Sequence, residues 1–348
     1  MKKFLIFTLL MVSLFSLVGC SGGDNKAPAK KEEPKNAATG GVKVIQLGFT
    51  VAAADDDPYC AFAEKFASIV AEKSKGQVKI EIYPGALLGA DRELLEGVKI
   101  GTVDMTIMTN AVSSTLVPSC GLFDMPFIFK DSNEAAKILD GPIGQKILED
   151  FTPHGIMALA WGEGGFRHLI STKKAVRTPE DMIGQKIRCM ETKTYIDTYA
   201  ALGVNAVPMS FSEIVPALQQ GTIDGLDIPI TVAYSNGFVS TVKNYYNMTG
   251  HFYSPITILM NKKVWDQLTP EQQAIFKEAA VAGGKYSREN NLKNEKPLLE
   301  KIAANGLCTV VTDVNVPAFR KNLSAFYDKQ KTSIGGTYVD DLMKALSN

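Results

Sequence analysis

Val78, Ile80 and Ile82 alternate with Lys79 and Glu81 through VKIEIYP (78–84). A period of two over that length predicts a strand with one buried face. Just upstream, Phe62, Phe66, Ile69 and Val70 fall at helical spacing, which predicts a helix from about Pro58 to Ser74. VKVIQLGFT (42–50) predicts a strand before it. ADRELLEGVKIG predicts a helix and VDMTIMT (103–109) a third strand after it. Strand–helix–strand units of this length imply parallel pairing with helical crossovers. The same grammar resumes after a break. IMALAW (156–161), KIRCM (186–190), NAVPM and TIDGLDIP read as strands, and RTPEDMIG as a short helix entry. TYIDTYAALG and FSEIVPALQQG read as helices that stop at Gly203 and Gly221. The body is therefore α/β, in two lobes.

Two longer segments do not fit inside one lobe. HFYSPITILMNKKVW (251–265) is apolar and β-branched throughout, long enough to run through both lobes. Thr269-Pro270-Glu271-Gln272 opens a helix, with Thr269 as N-cap and proline in the first turn. The helical pattern continues to about Asn305, and Gly283-Gly284 is read as the place where it bends. Such a helix is about 50 Å long and should brace both lobes. A final helix is expected from about Val316 to Gln330. These segments divide the body into lobe 1, residues 42–165 with about 251–290, and lobe 2, residues 166–250 with about 291–348.

The N-terminus adds a compartment. Two lysines precede an apolar run from Phe4 to Val18 that ends at Gly19-Cys20. A basic start, a short apolar core and small residues at the break describe an export signal over 1–20. Leu17-Val18-Gly19-Cys20 looks like a bacterial lipobox, which makes Cys20 the expected site of lipidation. Residues 21–41 are small and charged and read as a flexible tether. The expected location is extracytoplasmic, in the periplasm or on the outer face of the cytoplasmic membrane, held by the lipid alone. Acidic and basic residues balance at 37 each, which leaves no basic field for nucleic acid. Cys60, Cys120, Cys189 and Cys308 are widely spaced in a body that needs no staples, and free thiols are expected.

Catalytic and metal-binding patterns do not appear. His154, His168 and His251 have no metal-ligand spacing with one another or with cysteine, and CxxC, HExxH and GxSxG are absent. GEGGF lacks the strand–GxGxxG–helix context of a dinucleotide site, and AGGKYS fails the phosphate-loop pattern. Neither a cofactor, a metal nor a catalytic residue is expected. Asp55-Asp56-Asp57 precedes Pro58 and reads first as helix capping. Two arginines carry more promise. Arg167 in WGEGGFRHLIS and Arg188 in KIRCM each sit on a strand that opens the second lobe. No acid close to Arg167 obviously pairs with it. A guanidinium's planar fork suits bidentate capture of a carboxylate, though a solvated or internally paired arginine fits the same pattern.

YPGALLGADRELLEGVKIGTVDM, FDMPFIF, GGFRH, GQKIRCME, GVNAVPMSFSE, ALQQGTIDG and TGHFYSP occur in this order. With these motifs the chain resembles the solute receptors of tripartite ATP-independent periplasmic (TRAP) transporters, near the C4-dicarboxylate-binding branch. The similarity runs from about Val44 to the last helix. It implies a two-lobe clamshell of periplasmic-binding-protein type II character that closes on an organic acid and hands it to a membrane permease. It implies Arg188 as the carboxylate salt bridge, Arg167 as a second anion contact and Phe211 as an aromatic wall. The family typically continues its DG motif as Gln-Glu-Asn-Pro. Here the residues are Leu226-Asp227-Ile228-Pro229, and Ile228 cannot hydrogen-bond through its side chain.

That departure favours a ligand with an apolar part over a plain C4-dicarboxylate. Asp57 and Asp227 are candidates to meet an amino group, Ile228 to line an apolar pocket, and Thr109, Asn110 and Tyr253 to add contacts. An amino or keto acid with an apolar side chain is the expected ligand. The alternative readings are a receptor for an ATP-driven importer, a sensor subunit for a membrane kinase, and a cell-surface enzyme on the same scaffold.

Overall fold

The computed structural model describes residues 41–347 apart from 322 and 336. The expected signal peptide, the tether up to residue 40 and Cys20 lie outside the described residues.

Among the described residues, nine strands form one sheet. They are β1 (Lys43–Gly48), β2 (Val78–Tyr83), β3 (Met105–Thr109), β4 (Ile156–Ser171), β5 (Ile187–Cys189), β6 (Ala206–Pro208), β7 (Gly225–Ile228), β8 (Asn244–Asn261) and β9 (Cys308–Val311). The order is β2-β1-β3-β8-β4-β7-β5-β6, with β9 paired to β8 beyond that path. β1 pairs in parallel with β2 and β3, and β5 with β6 and β7, as βαβ units require. Between these groups runs one long antiparallel pair, β4 against β8. β3 joins β8 at residues 256–260, whereas β7 joins β4 at residues 168–171. The long strand expected at 251–265 therefore starts earlier and has a partner of similar length. β4 runs on from IMALAW through GEGGFRHLIS as one strand, and three register shifts absorb its irregular stretches.

The first helix, α1 (Pro58–Lys73), starts at Asp57, whose carboxylate accepts from the Tyr59 N–H at 2.8 Å. The second, α2 (Asp91–Ile100), follows β2 and ends at Gly101 in the left-handed conformation. The long helix is a single element, Pro270–Ala304, and Thr269 with Gln272 forms the expected reciprocal cap.

Gly283 and Gly284 serve close packing. A Cβ on Gly284 would lie 2.1 Å from the Trp161 carbonyl oxygen, and one on Gly283 would lie 2.7 Å from the Phe62 ring. The helix backbone thus presses directly on β4, at the point where Gly162 gives matching room. The chain after β9 forms three helices, Val316–Lys321, Ser324–Ile334 and Tyr338–Leu346, in place of the one expected. Cys60, Cys120, Cys189 and Cys308 are free and buried. No helix among the described residues is long and apolar enough to cross a membrane.

Candidate functional site

β5 is only three residues long, yet it lies between β6 and β7, so its middle residue is fixed from both sides. That residue is Arg188, and it is 2% exposed. Its Nε and Nη2 donate to the Met209 carbonyl oxygen at 3.0 and 2.7 Å. Its Nη1 is buried and has no partner. No described acid forms an ion pair with it. Burial, and then repulsion from Arg167, lower its pKa, but a guanidinium stays charged under any physiological condition. A buried cation with an unused donor face is costly unless something supplies the missing charge.

Arg167 has a different fate. Register places Leu169 of β4 opposite Asp227 of β7, and this brings Arg167 onto the same acid. Its Nε is held by an Asp227 carboxylate oxygen, and its Nη2 donates to the Asp227 backbone oxygen at 2.6 Å. The other carboxylate oxygen of Asp227 accepts from the Tyr199 hydroxyl at 2.9 Å. That hydroxyl lies 3.1 Å from His251 Nε2, and His251 Nδ1 lies 2.7 Å from the Thr249 hydroxyl. Burial pushes His251 down to about 4, so it is neutral there. Burial is the largest influence on the Asp227 pKa and would raise it, but the Arg167 charge and hydrogen bond, together with the other positive groups nearby, outweigh it and the net shift is downward. One edge of Arg167 is therefore neutralised from inside, by an acid distant in sequence, which is the internally paired arrangement that the sequence left open.

Both arginines reach a small inner pocket of about 20 Å³, whose wall includes Thr50, Thr109, Phe211, Ile228 and Ser254. A larger cavity of about 620 Å³ lies against it. The two share Asp91, Arg188, Met190 and Phe211. One side of the larger cavity is the start of α2, and the other is the chain from Arg188 to Thr192 and from Met209 to Glu213. Arg92 bridges these sides. It donates to the Glu191 carbonyl oxygen at 2.9 Å and approaches the Glu191 carboxylate at 3.5 Å. Asp91, in the first turn of α2, accepts from the Thr50 hydroxyl at 3.0 Å. Burial raises its pKa, against the Thr50 hydrogen bond and the Arg188 charge.

The nine body residues singled out by sequence divide cleanly. Arg188, Arg167, Phe211, Ile228 and Thr109 meet at the inner pocket. Asp57, Asp227, Asn110 and Tyr253 do not line it. Asp57 is fully buried at the start of α1, with its second oxygen accepting from the Ser235 hydroxyl at 2.7 Å. Asn110 donates to the Cys120 carbonyl at 2.7 Å. Tyr253 donates to buried Glu163 at 3.0 Å, its ring packed against Phe129 and Phe166. Asp227 acts on the pocket through its pair with Arg167 and, from farther away, through its charge on Arg188. Sequence reasoning missed Asp91, Thr50 and Met190. Thr50 follows β1 as Thr109 ends β3, so the same end-of-strand logic reaches it. Among the described residues, no group of three or more His, Cys, Asp or Glu is placed to hold a metal.

Comparison with known proteins bears on this geometry. A solute-binding protein of Verminephrobacter eiseniae (strain EF01-2) is 38% identical over 282 residues, spanning 81% of this chain and 84% of that one. A TRAP periplasmic solute-binding protein from Polaromonas sp. JS666, solved with D-erythronate, superimposes with a TM-score of 0.82 at 31% identity, covering 86% of this chain and 98% of the other. Another, from Sulfurospirillum deleyianum DSM 6946 with bound succinate, gives 0.81 at 28% identity, covering 87% and 99%. Residues 49–333 match the family described as bacterial extracellular solute-binding protein, family 7. The chain belongs to that family, as a TRAP-type solute-binding protein, a component of transport and not an enzyme.

Proposed function

We propose that this protein captures a small organic acid by its carboxylate on Arg188 and delivers it to a TRAP-type membrane permease. The observation that carries the reading is the Arg188 guanidinium, buried at the junction of the two cavities with Nη1 unpartnered. A carboxylate there completes the fork and neutralises the charge in one step. Arg167, already held by Asp227, adds field and shape as a second anion contact. Phe211, Ile228 and Thr109 wall the pocket. The ligands of the solved relatives, erythronate in one and succinate in another, support an acid of this size.

The lobes are those of the sequence reading, with the cleft between them. The contact of Arg92 with Glu191 would then hold the cleft shut from its mouth. A lipid at Cys20 would keep the receptor beside the membrane that carries the permease. The ligand's amino group, for which Asp57 and Asp227 were candidates, has no acid to meet at either residue, since both are engaged internally. The apolar wall at Ile228 and Phe211 remains.

Native mass spectrometry of the chain from Gly41 onward, followed by denaturation, tests the reading. An intact small carboxylate should be released. Thermal shift against a panel of organic acids then follows, and no shift with any acid would refute the proposal.

A further inference from the structure

The β1–β3 group attaches to the sheet at residues 256–260 of β8, and the β5–β7 group at residues 168–171 of β4. Residues 163–167 of β4, paired with 252–255 of β8, lie between these attachments and belong to neither group. This crossing is irregular. The register slips between Glu163 and Gly165, and Gly165 has a φ of 107°, a conformation that favours glycine. The bracing helix passes the same point with Asn291, which is buried and uses both ends of its amide. Nδ2 donates to the Glu163 carboxylate at 3.0 Å, and Oδ1 accepts from the Thr231 hydroxyl at 2.8 Å. A Cβ on Gly165 would lie 2.9 Å from Asn291 Nδ2, so the glycine makes room for the amide.

The two partners belong to different sides. Glu163 also accepts from Ser132 at 2.9 Å and from Tyr253 at 3.0 Å, and its N–H donates to Ser287 of the bracing helix at 3.2 Å. Thr231 lies in the short helix Ile230–Ser235, which follows β7 through Pro229. From this we infer that Asn291 is the pin on which the two strand groups turn relative to each other. The inference rests on the two-lobe reading above. Hinges are a few residues that absorb backbone change between rigid elements, and the slipped register at Glu163–Gly165 is such a place. Glu163, Thr231 and Asn291 are all buried, so no water takes over a bond that is lost there. The pin also adjoins the candidate site, since Gly164 and Pro229 line the inner pocket.

Spin labels on Ile100→Cys and Ile183→Cys, both exposed, report the distance between the lobes, while the four native thiols of the body are buried. The measurement is made on the unliganded chain from Gly41 onward, so failure to bind any acid does not touch it. Asn291→Leu should broaden the distance distribution beyond that of wild type. Amide exchange should quicken roughly tenfold or more at the crossing and in Ile230–Ser235, the factor that one hydrogen bond to a charged group is worth. Glu163→Gln with Asn291→Asp reverses donor and acceptor while keeping every partner, and should restore both readings. If Asn291→Leu does not fold, Thr231→Val carries the same comparison. An unchanged distribution, with or without an even loss of protection through both lobes, overturns the pin. A reversed pair that behaves like Asn291→Leu overturns its hydrogen-bonded basis.

Discussion

Arg188→Met removes the charge and the fork while keeping an apolar side chain of similar reach. Of the five guanidinium donors, two are committed to the Met209 carbonyl, and those on Nη1 have no partner. The bound carboxylate should therefore meet at least two charge-assisted hydrogen bonds. Truncating one partner of such a buried pair costs about 2–5 kcal/mol. That is roughly 30-fold to several thousand-fold in Kd. Arg188→Lys should lie between, losing roughly one charge-assisted bond of about 1.5–3 kcal/mol, because an ammonium cannot serve Met209 and grip a carboxylate in bidentate fashion.

The unliganded protein should respond in the opposite sense. Methionine orphans the Met209 carbonyl, at about 1–3 kcal/mol. It also removes a desolvated charge and an orphaned Nη1, which together cost several kcal/mol to bury. Urea unfolding without ligand should thus show stability equal to or above wild type, while calorimetry shows affinity lost. A variant that is several kcal/mol less stable yet binds within threefold of wild type would make Arg188 a structural residue and refute the reasoning.

Three other outcomes follow from named contacts. Asp227→Asn leaves Arg167 buried without its counter-ion and should cost about 3–5 kcal/mol by urea unfolding, since one partner of a buried pair is removed; a cost below about 1 kcal/mol would show the pair to be dispensable. Asp124 is pushed up to about 7 by burial, so between pH 4 and 7 the folded state holds a proton that the unfolded state has lost, and its contribution to stability falls as pH rises. The stability difference between wild type and Asp124→Asn should accordingly fall by about 1.4 kcal/mol per pH unit across that window and level off above it, and a difference flat from pH 4 to 7 would count against the buried acid. Gly284→Ala drives a Cβ against the Trp161 carbonyl, so the bracing helix must lift from β4; the expected loss is about 1–3 kcal/mol or more by thermal unfolding, and an unchanged midpoint would contradict that approach.

Local chemistry was readable from the chain, and distant register was not. The cap at Thr269 and the stop at Gly221 depend on residues within four positions, and both stand where expected. The full 35-residue length of the bracing helix was legible for the same reason. The packing role of its glycine pair was not legible, because the group it makes room for, the Trp161 backbone, lies more than a hundred residues away. The Arg167 pair with Asp227 spans 60 positions and depends on the β4–β7 register. Asp91 was hidden in another way. An acid in the first turn of a helix always has an adequate local explanation, and only the cavity it shares with Arg188 gives it a second one.

The two arginines show why residue type alone could not rank them. Both are strand residues at most 4% exposed, and both face the inner pocket. Asp227 cancels the charge of Arg167 at contact distance and helps stabilise Arg188 only from farther away. The uncompensated positive charge of the pocket is therefore concentrated on Arg188. An incoming anion gains most where compensation is least, which is why the proposed function takes Arg188 as the anchor and Arg167 as its support.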